Sequence, residues 1–269
     1  MRWKDHELPL GLSLTPEDHA NVLADYVRCG FRHFELQMPT HGVPEDAAAA
    51  DMLALAAPNR ERLNALGLRP WSLHLPFGRA WDIAARDEEE RRRVVEKLSA
   101  IIRGAQDWGA RVLTLHPGLE PVLPEDRPVR ALRSARSIQD LCDCAARLGM
   151  QIAVEDLPRS CLGNTGEELE ALMDAAPGVG CCFDVNHLLR ESHADFLARL
   201  APRVIQTHLS DYDGEDERHW LPGKGIVPFA LVAEALQGAG YRGPYLFELR
   251  EVFAPEDLIE AFRKSLDRD

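Results

Sequence analysis

MQIAVEDLP (150–158) followed by GVGCCFDVNH (178–187) decides the fold. Each is an apolar run too short for a helix, and each ends in groups that an apolar core does not choose. The first delivers Glu155; the second delivers Asp184 and His187. Working outward, the pattern recurs. RVIQTHLSD (203–211) carries His208 and GPYLFELRE (243–251) carries Glu248. Upstream, FRHFELQ (31–37) stops at Glu35, RPWSLHLP (69–76) carries His74, and RVLTLHPG (111–118) carries His116. With LPLGLSL (8–14) there are eight such segments, and seven place a carboxylate or imidazole near the C-terminal end.

Between the runs lie stretches of helical periodicity. Thr15-Pro16-Glu17-Asp18 reads as a helix start, with a threonine cap, proline in the first position and acids in the first turn, and it runs to a glycine stop at Gly30. A less sharply marked helix spans roughly 44–67. DEEERRRVVEKLSAIIRGAQDWGA ends at Gly109, and PVRALRSARSIQDLCDCAARLG ends at Gly149. NTGEELEALMDAAPG, HADFLARLAP, PFALVAEALQGAGY and PEDLIEAFRKSLDRD complete the set. Each carries an apolar stripe and a charged face, as an outer ring requires.

The order is strand then helix, eight times. The length of 269 residues suits a single-domain (β/α)8 TIM barrel over 1–269. An open doubly wound sheet has the same alternation, but no glycine fingerprint follows the first strand. Only a closed barrel gathers so many strand ends around one point, and its active site lies at that C-terminal face.

Lys and Arg number 31 against 44 Asp and Glu, a net charge of −13. That balance repels a phosphate backbone at long range and weighs against nucleic acid as the main partner. Six cysteines occur without a CxxC pair and read as reduced packing residues. No apolar run reaches the length of a membrane span, and no signal-peptide stretch opens the chain, so a cytoplasmic location is expected. A homo-oligomer is compatible with this composition.

Three carboxylates and one imidazole at consecutive strand ends (Glu155, Asp184, His208, Glu248) form an oxygen-rich set suited to Mn²⁺, Mg²⁺, Co²⁺ or Zn²⁺. A carboxylate buried in such a mouth needs a partner, because a bare one is costly. His74, His116 and Glu35 line the same mouth, the two histidines as candidate substrate contacts or metal ligands and Glu35 as a candidate acceptor for a substrate hydroxyl. Phe77 and Trp81 are candidates to cover the apolar face of a substrate. Arg250, two residues beyond Glu248, shares its face, and His219 and Lys224 lie in the long loop after the seventh strand.

AVEDLPRSCLGNT (153–165), FDVNH (183–187), HLSD (208–211) with PGKG (222–225) downstream, and FELR (247–250) together resemble the sugar phosphate isomerase/epimerase family. Its xylose isomerase-like barrel is shared by the zinc-dependent apurinic endonucleases. The resemblance implies that Glu155, Asp184, His208 and Glu248 bind one divalent metal, with Mn²⁺ expected first, and that His187 touches substrate. It implies a sugar or polyol substrate and an isomerase or epimerase reaction. One glutamate, Glu155 or Glu248, removes a proton beside a metal-chelated carbonyl and the other returns it. Two alternatives share this barrel: a polyol dehydratase or lyase, and a zinc phosphodiesterase of the endonuclease type. The endonuclease reading draws on His74, His116, His187, Glu217 and His219, with Glu217 standing where that pattern has aspartate. Two family positions differ here. The ketose 3-epimerases have a substrate glutamate where this chain has Cys161, and an arginine where it has Gly214.

Overall fold

The computed structural model of the chain describes residues 1–15, 22–39, 43–44 and 46–268. The helix start expected at Thr15–Asp18 falls mostly on residues outside that set. A two-residue antiparallel pair, β1 (Arg2–Trp3) with β2 (His6–Glu7), precedes the barrel. The eight barrel strands follow: β3 (Leu10–Leu14), β4 (His33–Gln37), β5 (Ser72–His74), β6 (Val112–Leu115), β7 (Gln151–Glu155), β8 (Gly180–Asp184), β9 (Val204–His208) and β10 (Tyr245–Phe247). All their pairings are parallel, in the order β10-β3-β4-β5-β6-β7-β8-β9. The ring closes just past β9, where the Leu209 amide donates to Leu246 O at 2.8 Å and the Glu248 amide donates to Leu209 O at 3.1 Å.

Eight helices cover the described outer face: α1 (Leu23–Arg28), α2 (Ala49–Ala65), α3 (Glu88–Gly104), α4 (Arg127–Ala146), α5 (Gly166–Asp174), α6 (His193–Leu200), α7 (Phe229–Gly238) and α8 (Pro255–Leu266). Their starts follow local chemistry. Asp87 accepts from the Glu90 amide at 2.8 Å before α3, where three glutamates fill the first turn and complement the helix dipole. Thr165 and Ser192 cap α5 and α6 in the same way. Past α3, a short 3-10 turn ends at Gly109 in the left-handed region, φ 94°.

Side-chain alternation separates two cores. Outward residues such as Leu36, Leu73, Ile152, Val154, Cys181 and Phe183 pack beneath the helices in one continuous cluster. Inward, Val112, Ala153 and Cys182 form a small plug, so the adjacent cysteines face opposite layers as period two requires. A register irregularity between Cys181 and Cys182 gives β9 an extra residue against β8, pairing Cys181 with Val204 but Cys182 with Gln206. That shift sets Asp184 directly opposite His208.

Candidate active site

Four barrel strands end on the expected residues. His74, Glu155, Asp184 and His208 are the last residues of β5, β7, β8 and β9. His116 and Glu248 each follow their strand by one residue. All six therefore project into the C-terminal mouth, where the ring of strands aims them at one another.

His208 sits at the centre. Its Nδ1 lies 3.0 Å from Glu155 Oε1, 3.2 Å from Glu248 Oε2 and 3.9 Å from Asp184 Oδ2. The other Glu155 oxygen, Oε2, meets His74 Nε2 at 3.2 Å and His116 Nε2 at 3.1 Å. Phe77 stacks on His116, with ring centroids 4.1 Å apart, and walls that side of the mouth. Trp81 is instead buried, with the Lys97 ammonium 3.9 Å from its ring centroid, so it packs the loop.

Ligand atoms of Glu155, Asp184, His208 and Glu248 all lie within 4.8 Å of one another, close enough to share one ion. Asp184 supplies the clearest test of fit. Its Oδ1 accepts from the Asn186 amide at 2.7 Å, whereas its buried Oδ2 has no hydrogen-bond partner. An orphaned carboxylate oxygen aimed into a cluster of donors is what a cation site leaves behind. The donor set, three carboxylates and one imidazole, fits a hard or borderline divalent ion.

The electrostatics agree. Burial opposes ionisation of Glu155, yet His208, His116 and His74 hold its carboxyl well below the usual range. Glu248 is likewise held low by His208 against burial. Burial pushes Asp184 up to about 6, with His187 pulling the other way. Burial also disfavours charge on His74, but its bond to Glu155 lifts it to about 9. His187 and His208 rise well above their ordinary value because neighbouring carboxylates outweigh burial. Carboxylates packed this tightly draw positive charge to the site.

His187 stands one layer out. Its Nδ1 donates to Asp156 O at 2.8 Å, and its Nε2 lies 3.2 Å from Glu217 Oε2. His187, Glu217 and His219 form a second group within 4.8 Å, and His74, His116 and Glu155 form a third. Arg159 spans the loops around the second group, pairing with Glu120 at 2.7 Å, Asp216 at 2.8 Å and Glu217 at 3.3 Å. Arg159 and His219 both adopt left-handed backbone, φ 52° each, a conformation costly outside glycine that loops at a functional mouth tolerate. Arg250, Lys224, His219 and Trp220 border an adjoining cavity of about 440 Å³. The Arg250 amide donates to His219 O at 3.3 Å, which ties the two residues together. A separate hollow of about 510 Å³ opens at the opposite barrel end around Trp71, Arg111 and Tyr241, and it contains none of these clusters.

Glu35 departs from the expected placement at the mouth. It is the third of five residues in β4, so it lies a layer below, fully buried inside the barrel. Ser72, Thr114 and Gln206 donate to its Oε1, and Ser13 and His208 donate to its Oε2. With five donors around one carboxylate, no capacity is left for a substrate hydroxyl.

The sequence pattern does not mark Gln37 or Asp211. Gln37, two residues beyond Glu35 and so on the same face, hydrogen bonds Glu248 Oε1, and strand periodicity was the signal available for it. Asp211 accepts from the amides of Tyr212, Gly223, Gly225 and Val227 at 2.8–3.0 Å, which fastens the loop carrying Glu217, His219 and Lys224. The two family departures also have local causes. Cys161 is buried under the clamp of Arg127, whose guanidinium donates to the Cys161 carbonyl at 2.7 Å. Gly214 has φ 82°, and a Cβ there would meet Ile226 Cδ1 at 2.8 Å, so an arginine does not fit without strain.

Among the described residues, no helix is long and apolar enough to cross a membrane. Known proteins share this fold. A family described as xylose isomerase-like TIM barrel matches residues 23–268. Fructoselysine 3-epimerase of Shigella flexneri is 23% identical over 197 residues, covering 71% of each chain. The uncharacterized protein MJ1311 of Methanocaldococcus jannaschii is 29% identical over 202 residues, covering 71% of this chain and 69% of its own. The crystal structure of a D-tagatose 3-epimerase-like protein superposes with a TM-score of 0.80 at 22% identity, covering 97% of both chains. The chain belongs to the xylose isomerase-like TIM-barrel family, and sugar epimerases are among its homologues.

Proposed function

We propose that this protein is a divalent-metal-dependent sugar or sugar phosphate epimerase or isomerase, with Glu155 and Glu248 as its two proton-transfer groups. The observation that carries this reading is the pair of carboxylates reaching His208 Nδ1 from different strands, at 3.0 and 3.2 Å, with the orphaned Asp184 oxygen beside them. Glu155, Asp184, His208 and Glu248 would hold one ion, Mn²⁺ first and Mg²⁺, Co²⁺ or Zn²⁺ as alternatives. When bound, the ion supplies positive charge that acidifies the carbon next to a carbonyl and steadies the developing oxyanion.

The protein's own groups perform the rest. One glutamate removes the proton from the carbon and the other returns it, inverting that centre. Return to the neighbouring carbon gives aldose–ketose exchange instead. His74 and His116 hold Glu155 Oε2; the second His74 nitrogen is taken by Leu75 O, so His116, the more exposed of the two, would meet a substrate oxygen. His219 and Arg250 border the adjoining cavity that would receive the remainder of a polyol, and His187, engaged by Asp156 O and Glu217, lies edge-on to His219. The negative charge and the sugar 3-epimerase relatives support a small polyol over nucleic acid as partner.

The test is exchange of a substrate carbon-bound proton with solvent deuterium, screened over ketoses and polyols with Mn²⁺ present. Exchange in the native protein and none in Glu155→Gln or Glu248→Gln is the expected result; full exchange in either variant contradicts it. Loss of water from the substrate would reassign the protein as a polyol dehydratase.

One observation favours a second reading. The groups His74–His116–Glu155 and His187–Glu217–His219 are spaced to hold two further ions, and three zinc ions around a phosphate suit phosphodiester hydrolysis. Against it, Arg159 already pairs with Glu217, and the net charge is −13.

A further inference from the structure

We infer that β4 is a positioning strand, in which Glu35 fixes the orientation of His208 and Gln37 fixes that of Glu248, so that both present their ligand atoms to the cation. The inference rests on the metal reading above and adds two residues that bind no ion themselves.

The barrel interior below the mouth is polar where such interiors are usually filled by Val, Ile and Leu. Ser13, Glu35, Ser72, Thr114 and Gln206 are all buried there. A carboxylate withdrawn from water costs several kcal/mol before its partners compensate, so an apolar plug would serve stability as well or better. The polar set converges on one outcome. Glu35 Oε1 accepts from Ser72 at 3.0 Å, Thr114 at 2.8 Å and Gln206 at 3.1 Å, while Oε2 accepts from Ser13 at 3.1 Å and His208 Nε2 at 2.8 Å.

The orientation of each partner is determined. The Trp71 indole can only donate, and its Nε1 lies 3.0 Å from Gln206 Oε1. Gln206 therefore turns its amide nitrogen towards Glu35. Four neutral donors from β3, β5, β6 and β9 lock the carboxylate, and an ionised carboxylate accepts without donating. His208 Nε2 must then keep its proton, which makes Nδ1 the nitrogen that gives up its own and offers a lone pair when a cation binds. Nδ1 is the atom that faces Glu155, Asp184 and Glu248. A carboxylate on the far nitrogen of a ligand histidine also raises its basicity.

Gln37 completes the strand's role. Period two puts it on the same face as Glu35 and one layer higher, at the mouth. Its amide nitrogen donates to Glu248 Oε1, which leaves Oε2 as the oxygen on the His208 side.

The test uses the full-length protein and Zn²⁺ as probe. The isosteric Glu35→Gln should bind Zn²⁺ about 10–100-fold more weakly than the native protein, measured by chelator competition with circular dichroism reporting the fold. In the native Zn²⁺-loaded protein labelled with ¹⁵N-histidine, His208 should show a protonated Nε2 and a metal-bound Nδ1. This second readout stands even where Glu35→Gln fails to fold. Native-like Zn²⁺ affinity in Glu35→Gln, with or without a lower melting temperature, overturns the inference, as does a metal-bound Nε2. Failure of the native protein to bind Zn²⁺ overturns the metal reading and this inference with it; native binding that Glu35→Gln leaves unchanged overturns the inference alone.

Discussion

Strands β7 to β10 lead into Glu155, Asp184, His208 and Glu248, one ligand-type side chain apiece, whereas β3 to β6 turn Ser13, Glu35, Gln37, Ser72 and Thr114 inward. The later half of the barrel carries the groups that would touch an ion. The earlier half holds those groups in place, through Glu35 on His208, Gln37 on Glu248, and His74 with His116 on Glu155. The lesson concerns depth. In a barrel strand, a polar residue at the last position faces the mouth, where it can reach a ligand or a group that holds one, while the same residue two positions earlier faces only other side chains inside the barrel.

This division can be broken from either side. The largest effect should come from the later half: Glu155→Gln and Glu248→Gln should each lower solvent proton exchange by about 10²–10⁴-fold, read by deuterium incorporation into the substrate. Next, Asp184→Asn should release the tightly held ion, seen as loss of bound metal after gel filtration, because it weakens a charged ligand while keeping the shape of the side chain. A smaller effect follows from pH. Burial disfavours protons on His74 and His208, yet the carboxylates keep them there, His74 up to about 9. An entering ion must displace the His208 proton and is repelled by charge on His74, so metal affinity should fall as pH is lowered from about 8 to about 6, measured by titration calorimetry. Affinity that rises on acidification would contradict this sign. The smallest effect belongs to the earlier half: Ser72→Ala removes one of five donors to Glu35 and should cost about 1 kcal/mol in denaturant unfolding, with metal retained.

Much of this was legible in the sequence. Glu155, Asp184 and His208 stand out because apolar runs seldom end in groups so costly to bury, and the recurrence of such groups in seven of eight segments points to a ring. Helix starts at Asp87 and Thr165 follow from capping, a local property, whereas the helix expected to run to Gly109 stops at Gly104, and Gly109 closes the 3-10 turn beyond it. What escaped was long-range. The side of the barrel to which Glu35 belongs is legible, but its depth depends on β4 running on to Gln37. The extra residue that aligns Asp184 with His208 comes from the pairing of two strands, and neither strand shows it alone. Asp211 binds amides as far as Val227, which a reading of neighbours along the chain does not connect. The β1–β2 pair has strands of two residues each, too short for any periodicity.

The proposed site gives four later-half residues one shared ion and leaves the remaining His and Glu groups to other purposes. Metal content of the purified protein, counted per chain by inductively coupled plasma mass spectrometry, tests it most directly. One tightly held divalent ion per chain, lost in Asp184→Asn, is the expected result. Three zinc ions per chain would contradict it and move the assignment to phosphodiester chemistry, and no retained ion after incubation with Mn²⁺, Co²⁺ or Zn²⁺ would remove its foundation.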